Sequence, residues 1–559
     1  MDNTKKIVYE LLKNCEENGI TPKYIVQDDT YRMAKSALFS QALPVRTQPV
    51  KYRTNGEEIF VISDLHIAAG RNNAGVYPGT ENFFSDDSFK RFLEFADRTK
   101  KTEKALLIIN GDIFDFLRIT EYPGKIYKPR LSKWIKQLLK FNPLKKPAEI
   151  RKDIIENQFQ EWADELEKLG FKKTADELEL NISKKEKTYG LRTDDYKTIF
   201  KLILIKKGHP DFFESLSKWL ETGNKLIIVK GNHDVELYWL QVRNYLRLIL
   251  GENIVSRIPG SDLQTVLRNI VLPNITFIDD SVEFDNDFYV EHGHRYDKFC
   301  MILDKPFVEK AKDQINIPFG SFFNRYLLNR VELFYPFLDN VRPSGNVLPM
   351  ILKENFPLGI KILFQHIPFM IRILFTNFRY IKFMFNKVFW FMMALLIPAG
   401  LIIYFNFNSV TEISTDISKT NDTSWISSLF IDQSKNIALL FLSYALTRLI
   451  AWFQLTEPSS LEKFARQRFN TTNYKIMTMG HTHNPGGYLF NNEKRFYNTG
   501  TWIPVIETST AEVREDKTFT FLHLERDENG KLIPANNGIL QRWNDNAERF
   551  DHQVLIKRK

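Results

Sequence analysis

Cysteine is almost absent from this chain of 559 residues, which contains only Cys15 and Cys300. Two cysteines provide neither a disulfide framework nor a thiolate metal cluster, so we expect a reducing compartment. The N-terminal residues 1–19 also lack the apolar core of a secretory signal, because they are charged and helical in pattern. Histidine is scarce as well, with ten residues in the chain, and the position of each one is therefore informative.

The remaining composition is that of a globular protein, with 43% hydrophobic and 26% charged residues. A chain of this length exceeds one small domain and can bury a large core. The net charge of +9 is modest for the length. Its distribution is therefore more informative than its sum.

Short apolar runs rich in β-branched residues recur along the chain, and each ends in polar or glycine-rich residues. The runs are EIFVISD, KALLIIN, KLIIVKG, ITFIDD, FYVEHG, KIMTMGH, RFYNTG and TFTFLHL. Such runs indicate buried strands that lead into loops. They predict an α/β sandwich whose functional site lies at the strand ends.

Two long segments interrupt the series of strands. Residues 118–222 are rich in Lys, Glu and Leu at helical spacing, which predicts a solvated helical cap. Residues 300–470 are apolar and basic, and they include two stretches, 388–405 and 437–455, that are long enough to span a bilayer. Residues 1–50 predict a small helical segment, either a packing embellishment or a helix-turn-helix.

Charges around the two apolar stretches favour a membrane. Residues 361–387 contain five Lys or Arg and no acidic residue, interleaved with large apolar side chains, as in a segment that lies on anionic lipid. The loop at about 406–436 carries four acidic residues against two lysines. By the positive-inside rule, the parts of the chain that flank the two stretches are expected on the cytoplasmic side of the inner or plasma membrane. The alternative is a buried helical hairpin in a cap or dimer interface.

Six of the ten histidines directly follow predicted strands and stand close to glycine, aspartate or asparagine. Residues two apart in extended chain face the same way, so such a pair can reach one ion. Imidazole, carboxylate and amide groups without thiolate suit Mn²⁺, Fe or Zn²⁺. In chain order the motifs supply Asp64 and His66 (DLH), Asp112 and Asp115 (GDIFD), Asn232, His233 and Asp234 (GNHD), His292 and His294 (HGH), and His481 and His483 (GHTH).

This ordered set of motifs resembles that of the calcineurin-like metallophosphoesterase superfamily over about 55–120, 224–298 and 475–525. Within the superfamily, SDLH, GDIFDF, HGH and YNTGTW are most similar to the UDP-diacylglucosamine pyrophosphatase branch, whose members act at the membrane surface. The chain departs from that branch in its two long insertions. It also has His294 where the branch usually has aspartate.

The resemblance implies a four-layer sandwich, with two mixed β-sheets flanked by helices, formed by residues 51–299 and 471–559. The helical cap and a membrane-associated helical insertion would interrupt it. The resemblance also implies two divalent metal ions, with Asp112 as the bridge between them. Mn²⁺ is the expected metal, and Fe and Zn²⁺ are the alternatives. One ion would be held by Asp64, His66 and His483, and the other by Asn232, His292 and His481. A bridging carboxylate keeps two such ions roughly 3.5–4 Å apart, where they activate a hydroxide for attack on phosphorus.

The pattern assigns no metal to His233, which is expected to protonate the leaving oxygen. Asp234 is expected to hold the tautomer and orientation of that imidazole. Asp115 is expected to hydrogen-bond a metal ligand or the loop backbone. Three residues just past the motifs are candidate contacts to a substrate phosphate, although surface arginines and loop histidines are common: Arg118, His294 and Arg295.

Three functions follow as hypotheses. The first is a membrane-associated hydrolase of a phosphoester or pyrophosphate bond in a lipid-linked or nucleotide-linked substrate, with membrane lipids as partners. The second is a phosphodiesterase, nuclease or protein phosphatase for soluble substrates with the same metals. Nucleic acid is not expected as a partner, because the basic residues are densest among apolar ones and no stacking-aromatic motif is recognised. The third is an inactive scaffold, which would lack a ligand, and none is missing.

Overall fold

The computed structural model describes residues 10–12, 49–72, 75–123, 147–297, 300, 307–308, 311–332, 340–342, 347–357, 359–360, 461–491, 493–507, 512–554 and 557–558. The chain forms two compact units, one of Met1–Arg342 with Glu457–Lys559 and one of Pro343–Thr456. The candidate spans at 388–405 and 437–455, and most of residues 1–50, lie outside the described residues. Within the described part, no helix combines the length and apolar character needed to cross a membrane.

The strands found in the described residues are β1 (Val50–Tyr52), β2 (Glu58–Ile62), β3 (Ala105–Asn110), β4 (Lys225–Val229), β5 (Ile275–Ile278), β6 (Ser281–Phe284), β7 (Phe288–Glu291), β8 (Phe307–Val308), β9 (Ala311–Ile315), β10 (Val341–Arg342), β11 (Ile476–Met479), β12 (Gly486–Phe490), β13 (Lys494–Asn498), β14 (Ile506–Glu507), β15 (Glu512–Val513), β16 (Thr520–Arg526), β17 (Leu532–Pro534), β18 (Leu540–Asn544), β19 (Arg549–Val554) and β20 (Lys557–Arg558). Each apolar run predicted as a strand forms one, namely β2, β3, β4, β5, β7, β11, β13 and β16. These eight predictions are confirmed.

The helices in the described residues are α1 (Asp86–Thr99), α2 (Pro147–Lys168), α3 (Ala175–Leu180), α4 (Lys184–Tyr189), α5 (Asp195–Gly208), α6 (Pro210–Glu221), α7 (Leu240–Arg257), α8 (Leu263–Val266), α9 (Leu272–Asn274), α10 (Phe319–Phe323), α11 (Asn329–Glu332), α12 (Val347–Glu354), α13 (Glu462–Phe469) and α14 (Ala535–Gly538). Short 3₁₀ turns occupy Val235–Tyr238, His294–Tyr296 and Glu515–Lys517. π-Helical turns occupy Leu267–Val271 and Asn324–Leu328.

Two mixed sheets contain most of the strands. The first has the order β1-β6-β7-β11-β13-β12-β20, and the second has the order β19-β18-β16-β2-β3-β4-β5, with β17 paired to β16. Strands β2 to β5 are parallel in the second sheet, and β7, β11 and β13 are parallel in the first. Parallel neighbours end at the same edge of their sheet, and this edge positions the motif loops. The other strands of the described residues form two small sheets, β10-β14-β15 and β8-β9.

Side chains alternate between the two faces of each strand, so apolar residues form one layer between the two sheets and further layers on the outer faces of the sheets. Ile59 and Val61 of β2 pack with Val290 of β7 in the apolar layer between the two sheets. Phe60 and Ile62 point the other way, into a cluster that includes residues of α1, α5, α6 and α7. On the outer face of the first sheet, residues of β11 and β13 pack with α13. The predicted α/β architecture of two mixed sheets flanked by helices is confirmed at this level.

Helices α5 and α6 belong to the buried core and are not part of a solvated cap. Their apolar side chains are almost entirely buried. Two of the four lysines of α5 are buried too, since Lys197 Nζ lies 2.6 Å from Glu186 Oε1 and Lys201 Nζ lies 3.2 Å from Glu236 Oε1. The prediction of a solvated cap over 118–222 is therefore wrong for these helices, because charges taken for surface groups pair inside.

Candidate metal centre

The five motif loops leave the carboxyl ends of β2, β3, β4, β7 and β11, and the loops of the two sheets are in contact. His66 Nε2, after β2, lies 3.0 Å from His483 Nε2, after β11. Asp112 Oδ2, after β3, lies 3.0 Å from His292 Nε2, after β7. Motifs as many as 417 positions apart in sequence therefore form one cluster.

A first group of ligand atoms consists of Asp64, His66 and His483, all of which are buried. Asp64 Oδ1 lies 3.3 Å from His483 Nε2 and 3.8 Å from His66 Nε2. This oxygen is buried without a hydrogen-bond partner among the described residues. Three donor atoms therefore face one point with an unsatisfied oxygen among them, which fits a cation.

A second group consists of Asp112, His292 and His481. The side-chain oxygen of Asn232 is buried and, in the described part of the chain, accepts no hydrogen bond, as suits an oxygen reserved for a metal. Asp112 Oδ2 is 3.0 Å from His292 Nε2 and 3.8 Å from His66 Nε2. Asp112 thus lies between the two groups, the position predicted for a bridging carboxylate.

Close packing fixes the His292 ring and the Asp112 carboxylate. His292 Nδ1 lies 2.8 Å from the carbonyl oxygen of Asn110, which sets the tautomer that leaves Nε2 to face Asp112. Gly111, at φ 85°, has no space for a side chain, since a Cβ atom would lie 2.2 Å from His292 Nδ1. A Cβ atom at Gly231 would lie 2.1 Å from Asp112 Oδ1. Both motif glycines therefore permit the approach of the loops.

Left-handed backbone conformations are concentrated at the candidate ligands. Such a conformation costs a residue other than glycine roughly 1–3 kcal/mol, and it persists only where the surroundings impose it. The residue types do not predict this strain, so sequence reasoning missed it. Five candidate ligands adopt it: Asp64 (φ 57°), His66 (φ 49°), Asp112 (φ 52°), His481 (φ 70°) and His483 (φ 52°).

The buried carboxylates and imidazoles stabilise each other's charged forms. Burial would raise the pKa of Asp64, but His292 and His483 hold it well below its usual range. The pKa of Asp112 is lowered against burial in the same way, chiefly by His292. Burial would lower the pKa of His66, but the neighbouring carboxylates raise it to about 10. The cluster therefore requires compensating positive charge, which bound metal ions would supply in place of ring protons.

His233 is oriented by Asp115 and not by its neighbour in sequence. Its Nδ1 atom lies 2.7 Å from Asp115 Oδ2. The Asp234 carboxylate turns back toward the loops, where Oδ1 accepts from the Gly231 amide at 2.6 Å and Oδ2 from the Ile113 amide at 2.9 Å. The prediction that Asp234 orients His233 is therefore wrong, because backbone donors of two loops already satisfy that carboxylate.

The same contacts decide the protonation of this pair. Burial would lower the pKa of His233, but Asp115 and then Asp112 raise it to about 9. Burial, followed by the charge of Asp112, raises the pKa of Asp234 to about 7. His233 is partly exposed, with 14% of its side chain accessible, so its ring can meet a molecule from solvent.

The two arginines predicted to contact substrate are paired inside the protein. Arg118 is fully buried, and its guanidinium lies 2.6 Å from Glu332 Oε2 and donates to the Thr80 carbonyl at 2.7 Å. Arg295 Nε lies 3.0 Å from Glu291 Oε2. Neither guanidinium is open to a substrate phosphate, so both predictions are corrected to structural ion pairs.

His294 and Asp297 border the second group. The His294 ring lies 5.4 Å from the His292 ring, and burial followed by the charges of His292 and His481 lowers its pKa well below the usual value. Asp297 Oδ2 lies 3.3 Å from His481 Nε2. Sequence reasoning missed Asp297, although an aspartate three residues after HGH was the available signal. Asp297, His481 and Cys300 form a further group of potential ligand atoms.

Two other histidines lie in ion pairs outside the cluster. His209 is buried, with Nδ1 2.9 Å from Asp86 Oδ2 and Nε2 3.3 Å from Glu81 Oε2. His523 Nε2 lies 3.0 Å from Glu58 Oε2.

Comparisons of the chain with protein-family models, with curated proteins and with solved structures gave no match. Clusters of histidine and aspartate that could hold a metal ion are present at the strand ends.

Proposed function

We propose that the chain is a metal-dependent hydrolase of phosphoester or pyrophosphate bonds, of the calcineurin-like metallophosphoesterase type, built on the four-layer sandwich of that superfamily. One observation carries the proposal: five strand-end motifs, in the order typical of that superfamily, converge on one buried cluster with Asp112 between its two groups. Unsatisfied oxygens on Asp64 and Asn232 support a role in metal binding.

Two divalent metal ions would, when bound, lower the pKa of a water molecule and neutralise phosphoryl oxygens. Mn²⁺ is the proposed metal, and Fe and Zn²⁺ are the alternatives. The remaining chemistry belongs to the side chains. Asp112 would contact both ions, and its backbone loop is fixed by the carboxylate of Asp234. The other ligands would be Asp64, His66 and His483 for one ion, and Asn232, His292 and His481 for the second.

His233 is the proposed proton donor to the leaving oxygen. Its Nδ1–H group donates to Asp115, so Nε2 is the atom left for the substrate. Without metal ions the raised pKa keeps this ring protonated at neutral pH, the state that a general acid requires. Asp115 acts as a positioning residue, because it holds the ring in one orientation.

The substrate is proposed to be lipid-linked or nucleotide-linked and to be met at a membrane surface, with the catalytic domain on the cytoplasmic side. The basic and apolar residues 361–387 and the stretches 388–405 and 437–455 motivate this part of the proposal. Activity should therefore sediment with membranes. Activity recovered only in the soluble fraction would favour a hydrolase of soluble phosphodiesters instead.

The test of activity uses the full chain in detergent with Mn²⁺ and an extract of total lipids and nucleotides, with products followed by mass spectrometry. Wild type and Glu528→Ala, a control at an exposed turn, should release the same phosphate-containing product. Asp112→Ala should release none, because it removes the carboxylate between the two groups. The same products from Asp112→Ala would refute the proposed role of the cluster.

A further inference from the structure

The segment Ile315–Glu332 borders the candidate metal centre. Ser321 Oγ donates to the carbonyl oxygen of Asn232 at 3.5 Å. Asn329 Nδ2 donates to the carbonyl oxygen of Leu117, in the loop after β3, at 2.7 Å. The helical segment is therefore attached to the loops that follow β3 and β4.

Arg325, one helical turn beyond Ser321, is a buried cation. It is only 6% exposed. One guanidinium nitrogen donates to the carbonyl oxygens of Gly190 and Leu191, at 2.6 and 3.0 Å. Among the described residues no carboxylate pairs with it, and its buried Nε–H group has no hydrogen-bond partner. A compensating anion would stabilise a buried guanidinium of this kind.

Aromatic and cationic side chains converge beside this guanidinium. Lys185 Nζ lies 4.6 Å and Arg325 Cζ lies 5.6 Å from the centre of the Tyr326 ring. The Tyr189 ring packs edge-on against Tyr326 at 5.1 Å. Burial would raise the pKa of Tyr326, but Arg325, then Lys185 and Arg192, lower it. Three cations therefore surround one phenol.

The carboxylate of Glu186 does not neutralise this group. Glu186 is engaged with Lys197 at 2.6 Å, and Arg192 reaches it only at 4.0 Å. Lys185 is exposed, and no carboxylate of the described residues lies within ion-pair distance of it. The surface beside Tyr326 is therefore positive, with both mobile and fixed donors.

We propose that Lys185, Arg192, Arg325 and Tyr326 form a subsite for a phosphate group of the substrate, distinct from the phosphate that is cleaved. The guanidinium of Arg325 supplies fixed positive charge, and the side chains of Lys185 and Arg192, which reach solvent, close on the anion. Identification of this anion as part of the substrate rests on the proposed function. The same oxygens are offered by a soluble phosphate ester and by a phospholipid headgroup.

The test measures binding by the full chain in buffer without divalent cations, so that no metal ion can coordinate the probe. One arm titrates inorganic phosphate by calorimetry. The other measures cosedimentation with vesicles of phosphatidylglycerol and phosphatidylcholine, against vesicles of phosphatidylcholine alone. The variants are Arg192→Ala and Lys185→Ala, both outside the core, and the matched control is Lys187→Ala, an exposed lysine on the same helix.

Removal of one charge-assisted contact should weaken binding about tenfold in Arg192→Ala and Lys185→Ala, with Lys187→Ala like wild type. A loss in the phosphate arm supports a soluble ester as the ligand, and a loss only with phosphatidylglycerol supports a headgroup. Unchanged binding in both arms, or an equal loss in Lys187→Ala, would overturn the subsite. Because no metal or turnover is involved, this failure would leave the proposed hydrolase intact, and an inactive enzyme would leave the subsite intact.

Discussion

Replacement of Asp115 by asparagine should lower the pKa of the His233 imidazole by about 2, as worked from the contact between them. Asp115 Oδ2 lies 2.7 Å from His233 Nδ1, which places the two centres of charge roughly 4 Å apart. At an effective dielectric constant of about 20, their attraction amounts to about 4 kcal/mol, or about 3 in pKa. The asparagine oxygen still accepts the Nδ1–H bond, which returns about 1 kcal/mol.

The assay is an NMR titration of the histidine rings in protein without metal ions, with Asp234→Asn as the matched control. The His233 pKa of about 9 should fall in Asp115→Asn and stay near 9 in Asp234→Asn. Because the pKa is raised in the folded state, the ring stabilises the fold fully below pH 6.5 and loses this contribution as pH rises through about 9. Asp115→Asn should therefore lower the upper limit of the pH range over which this ring stabilises the fold. An unchanged titration in Asp115→Asn, or an equal fall in Asp234→Asn, would refute the assignment of Asp115.

Three further perturbations test other parts of the structure. Gly111→Ala places a Cβ atom 2.2 Å from His292 Nδ1 at a residue with positive φ. We therefore expect weaker metal binding and a free energy of unfolding that is lower by about 1–3 kcal/mol, as measured by urea unfolding. Unchanged stability would contradict the close packing. Asp297→Asn should weaken metal binding roughly tenfold at unchanged Tm, because the carboxylate orients His481, and an unchanged metal titration would argue against that role. Two carboxylates raise the pKa of the buried His209 ring to about 9 against the effect of burial, so the ring stabilises the fold fully below pH 6.5 and progressively less up to pH 9. The free energy of unfolding of His209→Gln should therefore vary less with pH over this range. A pH dependence as steep as that of wild type would contradict this role of His209.

The candidate ligands could be predicted from the sequence because each motif directly follows a buried strand. Parallel strands bring their carboxyl ends to one edge, so residues such as Asp64 and Asp112 had to become neighbours. The division of those strands between two sheets could not be predicted, since the apolar runs of β2 and β7 are alike in composition. The contact between Asp112 and His292 depends on how the two sheets pack.

The roles of the polar residues beside the ligands were less predictable. Asp234 adjoins His233 in sequence and Asp115 belongs to another motif, and only the direction of each side chain decides which one meets the ring. Arg118 was taken for a candidate substrate contact because its partner, Glu332, lies far away in sequence. Long-range ion pairs of this kind carry no local signal, which also explains why the buried charges of α5 were mistaken for a solvated face.

Direct measurement of the metal content per chain tests the central claim most sharply. The full chain, loaded with Mn²⁺ and freed of excess metal by dialysis, should retain two ions per chain by elemental analysis. Asp112→Ala should retain fewer, because Asp112 lies between both groups of ligand atoms, and Glu528→Ala should match wild type. Wild-type protein that retains no Mn²⁺, or an Asp112→Ala variant that retains as much as wild type, would contradict the two-metal centre.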